Sequence, residues 1–227
     1  MQKLTNKEDK LMKKFLILIT TFLFAFSNAN AIGVNVGISG QLGVFEASAT
    51  ETEDTNDRAS KDAMAVFGYG SIFLEKTLGQ YLTIGIDYVP SALESETNEK
   101  LKTDLLATAD GAASNVTQKV QVDFEDLTTF YVNLNLNENF YLKAGIAKVD
   151  VITNETLGTG STYGNADLDG TVFGAGYNKN FDNGLFVRAE GTYQQFDGVT
   201  INGSGDTSVS ADDINGASAK ISIGKSF

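Results

Sequence analysis

From residue 32 onward, apolar and polar side chains alternate along the chain. Residues 32–45 (IGVNVGISGQLGVF) place Ile32, Val34, Val36, Ile38, Leu42 and Val44 on one face. Gly33, Asn35, Gly37, Ser39, Gln41 and Gly43 fall on the other. A period of two predicts a β-strand with unlike faces. The same alternation recurs over 81–88, 140–147, 171–181, 185–195 and 217–227. In 120–136, Val120, Val122 and Phe124 are assigned to one apolar row with Phe130, Val132, Leu134 and Leu136, a row interrupted by Asp126 and Thr128. Residues 64–76 carry apolar groups on both parities. Keeping the Glu75 carboxylate off the apolar face puts Val66, Ile72 and Leu74 on it. These segments predict eight strands. A short amphipathic helix near 99–108 is the one helical pattern.

The connectors alternate in length. Short turns are expected at 77–80, 137–139 and 182–184, where Asp182-Asn183-Gly184 accepts positive φ at low cost. Long polar loops are expected near 46–63, 90–117, 153–169 and 197–212. Alternation alone permits a soluble barrel with its apolar face inside or a membrane barrel with that face towards lipid. Three features select the second. One end has short turns and the other long loops. Aromatics cluster near strand ends on the apolar rows: Tyr88 and Tyr193 by the long loops, Phe140 and Phe181 by the short turns. The last strand is still alternating where it reaches Phe227, and the segments match the roughly 9–11 tilted residues of a membrane-spanning strand.

Residues 12–31 (MKKFLILITTFLFAFSNANA) have basic Lys13 and Lys14, then an apolar run from Phe15 to Phe26. Ala29-Asn30-Ala31 fits an A-x-A cleavage site. The run is shorter than the roughly 20 residues of a spanning helix. This reads as a cleavable signal peptide, with 1–11 an upstream extension before Met12 and 32–227 one barrel domain.

Composition narrows the chemistry. The 227 residues include no His and no Cys, which removes His-dependent triads, thiolate metal sites and disulfides. Five of the 17 basic and two of the 29 acidic residues lie in 1–31. The remainder is 12 against 27, net −15, which disfavours a nucleic-acid partner.

The strand pattern, the signal peptide and the terminal ISIGKSF together resemble the small outer-membrane β-barrel family of Gram-negative bacteria, of the OmpA transmembrane-domain, OmpX and opacity-protein type. The resemblance covers 32–227. It implies an all-β, eight-stranded antiparallel up-and-down transmembrane barrel in the cell outer membrane, monomeric, with lipid and lipopolysaccharide around it. In that family a terminal aromatic on the lipid-facing row is read by the barrel-assembly machinery, and Phe227 matches. Lys225 departs from the apolar or aromatic residue usual at its position. Lipid-modifying members of this group use a catalytic His, which this chain lacks.

The inward row is expected to carry Glu75, Asp87, Lys143, Arg188, Glu190 and Lys220, three acids and three bases. Eight strands enclose just enough room for side chains, so a paired charge network filling the lumen is expected. No catalytic, cofactor or metal residue is assigned. Asn165–Gly170 resembles the start of a calcium loop, but Gly176 stands where the bidentate Glu is needed. Loose divalent-cation association with the acidic loops is an alternative without a placed site. The expected role is a non-catalytic structural or surface-interaction barrel. A small-solute or ion channel, and a soluble periplasmic ligand-binding barrel, are the alternatives.

Overall fold

The computed structural model describes residues 33–53, 57–105, 113–156, 162–203 and 208–227. The signal-peptide assignment, with Ala29 and Ala31, lies outside them. The strands are β1 (Val34–Glu53), β2 (Asp57–Leu78), β3 (Leu82–Tyr88), β4 (Leu93–Glu94), β5 (Asn98–Leu105), β6 (Ala113–Asn135), β7 (Phe140–Thr156), β8 (Ala166–Asn180), β9 (Leu185–Phe196), β10 (Val199–Asn202), β11 (Ser208–Ala211) and β12 (Ile214–Ser226).

Eight of them close a ring in the order β1, β12, β9, β8, β7, β6, β3, β2 and back to β1, every pair antiparallel. Following cross-strand partners once round from Val66 leads through Val44, Ala217, Tyr193, Phe173, Ala144, Val132 and Ile84 to Lys76. The walk ends ten residues along the starting strand, a shear of ten for eight strands. Such a stagger tilts the strands, and the ring closes where β2 meets β3 over residues 72–78.

The apolar rows face out. Ile38 (60%), Leu42 (65%), Val66 (67%) and Ile221 (63%) are as exposed as surface lysines, while Ser39, Gln41, Ser71 and Ser222 on the opposite parity are buried. A soluble ligand-binding barrel would reverse this. In β2, Phe73 and Glu75 point inward and Met64, Val66 and Ile72 outward, whereas Leu74, expected on the exposed row, is buried together with its β3 partner Ile86. Tyr193, Phe140 and Phe181 are half exposed at the ends of the band. Tyr88 differs from the expected girdle: it is buried, and its hydroxyl donates to Asp126 (2.9 Å). Just above the band, Lys148 pairs with Asp169 on the outer surface (2.6 Å), and that hydrogen bond raises the lysine above its ordinary range.

Inward aromatics lie over glycines on the adjacent strand. Phe73 faces Gly37, Tyr131 faces Gly85, Tyr141 faces Gly176, Phe186 faces Gly224, Phe45 faces Gly216 and Phe196 faces Gly170, each a direct cross-strand pair. A Cβ on any of these glycines would collide with the ring. The lumen is thus packed by large rings resting on absent side chains.

Three further expectations are corrected. First, the long loops are largely sheet. The β1–β2 ladder runs to Glu53↔Asp57, β4 and β5 pair with β6, and a β10–β11 hairpin pairs with β1. Second, the segment read as a helix near 99–108 is strand β5 as far as Leu105, because pairing with β6 overrides a local helical pattern. Third, Val120, Val122 and Phe124 do not share the face of Phe130. Glu125 pairs with Asp150 but Thr128 with Lys148, so β6 gains one residue over β7. Asp126, at φ 58°, makes this bulge. One extra residue flips the parity, and Val122 and Phe124 pack inward.

Above the bulge the interior is apolar. Val89, Leu127, Val149, Val151, Leu168, Val172 and Phe196 form one buried cluster, with Phe45, Phe67 and Phe124 against it. The rings of Phe45 and Phe67 are 6.0 Å apart, and those of Phe67 and Phe124 are 6.1 Å apart. On one side the wall divides. The strand β2 pairs with β3 only over 72–78, and among the described pairings its residues 57–71 have β1 alone as neighbour. The divergence begins where β3 ends, two residues before Pro90, the one proline of the chain and unable to donate to a ladder.

Candidate functional site, the charged lumen

Strand parity places all six inward charges in the membrane-level lumen. Glu75 comes from β2, Asp87 from β3, Lys143 from β7, Arg188 and Glu190 from β9, and Lys220 from β12. All are buried, and Glu75 is 0% exposed.

Arg188 holds Glu75 with both terminal nitrogens, Nη1 to Oε1 at 2.7 Å and Nη2 to Oε2 at 2.9 Å. The planar fork matches the carboxylate and fixes both groups. Tyr131 donates its hydroxyl to Glu75 Oε1 (2.9 Å), and Asn35 donates to Oε2 (3.1 Å). Lys143 donates to Glu190 Oε1 (2.7 Å), and the Tyr141 hydroxyl donates to Oε2. Lys220 donates to Asp87 (2.8 Å) and lies 3.7 Å from Glu190, linking two of the pairs. Three acids meet three bases, so the formal charge cancels.

Aromatic rings wall the network. The Arg188 guanidinium lies 5.3 Å from the Phe73 ring centre and 5.2 Å from those of Tyr141 and Phe186. Lys143 Nζ sits 4.0 Å over Tyr131. Tyr131, Tyr141 and Asn35 complete the coordination of both glutamates, yet sequence reading left them out of the charge set. Their signal was their parity: each stands on the same inward row as the charges. Phe73 was hidden by the double parity of 64–76.

Beside Asp87, Lys143, Glu190 and Lys220 remains a cavity of about 20 Å³. That is room for about one water molecule. An ion crossing here would have to separate buried charge pairs, and an unpaired buried charge is costly.

Phe227 is exposed on the outward row, and its backbone closes the ring with Val34 in both directions, at 2.9 and 3.2 Å. The Lys225 amine donates to the Asn183 carbonyl (2.9 Å), so this residue ties the last strand to the 182–184 turn. Among the described residues, no group of three or more carboxylates is placed to hold a metal ion. Within Asn165–Gly170, Asn165 Oδ1 accepts from the Thr153 amide (3.1 Å).

No protein-family model and no curated protein matches the chain. Solved structures do. OprG from Pseudomonas aeruginosa, a crystal structure of an outer membrane protein, is 12% identical over 86% of this chain and 96% of its own, with a TM-score of 0.49. The outer membrane protein AlkL, determined by solid-state NMR in lipid bilayers, is 10% identical over 84% and 90%, with a TM-score of 0.45. Ail, the attachment invasion locus protein of Yersinia pestis, is 13% identical over 81% and 98%, with a TM-score of 0.34. By its own ring, stagger, apolar outer belt and short-turn end, the chain is a transmembrane β-barrel of the outer-membrane type.

Proposed function

We propose that this protein is a non-catalytic component of the outer membrane of a Gram-negative bacterium. Its barrel is sealed, and its work is structural or done at the surface by the strands that rise from the loop end. Lipid and lipopolysaccharide surround the apolar belt, and Phe227 serves as the signal for barrel assembly. One observation carries the sealed reading: three buried ion pairs walled by aromatics, beside a cavity of only about 20 Å³.

Planar-bilayer recording of the refolded protein tests it, alongside a gel of unheated and heated samples. The expected result is a heat-dependent mobility change with no steady conductance. Stable ion-sized conductance from the wild-type barrel would overturn the sealed reading.

A second reading, passage of small solutes, is favoured by the division of the wall above Ile72 and Tyr88. Unpaired strand edges are costly in hydrocarbon unless they border protein or a water-filled space. Uptake of an apolar dye into liposomes, without ion conductance, would favour this second reading.

A further inference from the structure

The lipid-facing wall is not uniform. On the side of β8, β9 and β12 it carries a groove of about 730 Å³. Its floor is Ala175, Ala189, Gly191 and Ala219, and Ile221 and Tyr177 stand on either side of Ala189 as its cross-strand partners. The outward row of β9 continues from this floor through Val187 to Leu185 at the turn end. From Gly191 to Leu185 the strand advances about 20 Å, which at the usual tilt is about 15 Å of depth. That is roughly half of a 30 Å hydrocarbon core, the reach of one leaflet.

Two lysines flank the foot of this row. Lys179 on β8 is the partner of Val187, and Lys225 on β12 is the partner of Leu185. Both are exposed on the outward parity. Among the described residues neither has an ion-pair partner. Lys225 spends one donor on the Asn183 carbonyl, which leaves an ammonium two more. Asp182 stands in the turn below, so the foot carries two positive charges against one negative. The opposite rim of the belt has the reverse sign. There Glu46, Asp62, Asp167 and Asp169 are exposed on the outward rows, and Lys148 is tied to Asp169.

These signs select the occupant. A groove facing hydrocarbon is filled from within the membrane. An acyl chain fits its apolar floor, and a phosphate fits two amines at its foot. A second copy seated face to face would bring its own Lys179 and Lys225 against these two. Lipid headgroups on the loop side would meet the acidic rim instead.

We propose that this groove holds an anionic phospholipid of the turn-side leaflet, its acyl chain along β9 and its phosphate between Lys179 and Lys225. The inference goes beyond the sealed-barrel reading and needs no conductance.

The chain has no Trp, so Val187→Trp supplies a single fluorescent reporter at the foot. The protein is refolded into vesicles of equal parts phosphatidylcholine and phosphatidylglycerol, with bromine on the acyl chains of one lipid or the other. Each variant is first checked for a heat-dependent gel shift. The expected result is stronger quenching by brominated phosphatidylglycerol, corresponding to an affinity about tenfold above that of phosphatidylcholine. Leu134→Trp, three strands away on the outward row of β6, should be quenched equally by both. Adding Lys179→Ala and Lys225→Ala to the Val187→Trp chain should abolish the preference. Should that chain fail to refold, about 0.5 M salt should abolish it with both lysines in place. Equal quenching by the two lipids at position 187 would overturn the proposal. So would an equal preference at position 134, or one that survives loss of both amines or high salt. A barrel that conducts ions yet keeps the preference defeats the sealed reading alone.

Discussion

The two ends of the barrel solve opposite solvent problems with one continuous wall. Towards the turns, Ile38, Leu42 and Ile221 face out while Glu75, Arg188, Lys143 and Glu190 face in. Towards the loops, Val149, Val151, Leu168 and Phe196 face in while Lys148, Asp167 and Asp169 face out. The first is a membrane protein's cross-section and the second a soluble barrel's. The alternation persists throughout, and only the chemistry assigned to each parity is exchanged. In β6, whose outward row is the lipid belt from Phe130 to Leu134, the one-residue bulge at Asp126 brings Val122 and Phe124 into the upper core. The comparison shows that polarity along these strands reports what lies outside the wall at that height, not where the core is.

Several substitutions would break or sharpen this contrast. The largest effect is expected at the turn-end network. Arg188→Ala leaves Glu75 buried without its guanidinium and should cost about 3–5 kcal/mol. Urea unfolding in micelles should show this, with little change in bilayer conductance. A large new pore with unaltered stability would mean that the pair is a gate rather than a structural tie.

Next comes the upper core. Leu168→Ala should cost about 2–5 kcal/mol, as a cavity in close-packed protein does. Leu42→Ala, on the lipid row, should cost clearly less, because acyl chains can fill the space. Equal costs would refute the idea that the two halves have different solvents.

Gly176→Ala places a methyl group against the Tyr141 ring and should lose about 1–3 kcal/mol. Tyr141→Ala in the same chain should remove that penalty, so the two losses should not add in a double-mutant cycle.

At the junction, Asp126→Val forces a β-branched residue to positive φ and should cost about 1–3 kcal/mol. Asp126→Gly should cost less, since it keeps the conformation and loses only the Tyr88 contact. The smallest effect is expected at the exposed Lys148–Asp169 pair, where Lys148→Ala should leave the unfolding curve unmoved within error.

Much of this architecture was legible in the sequence. Outside the upper part of β6, the ring strands carry the phases read from alternation, and two of the short turns fall where Gly79 and Gly184 adopt positive φ. Glu75 could be oriented because a carboxylate does not belong against lipid, and that resolved β2. What escaped has physical causes. Strand β5 has apolar residues at helical spacing, and only its partner β6 decides its conformation. The polar strands above the membrane look like loops, since exposed sheet and exposed loop share a composition. The bulge was visible as the interruption at Asp126 and Thr128, but an interruption can be a polar residue on an apolar row or a change of row. Only the register against β7 distinguishes the two. The glycine–aromatic pairs were half legible: the polar row carries glycines such as Gly37 and Gly43, but which glycine lies under which ring depends on the stagger.

The closing ladder between β1 and β12 has a kinetic meaning. Gly37 meets Gly224 and Ile38 meets Ile223, so the contacts that finish the barrel join residues nearly two hundred positions apart. Until they form, the sheet has two bare edges, each able to pair with a foreign strand. A slowed closure would therefore show itself as aggregation before any loss of native stability could be measured.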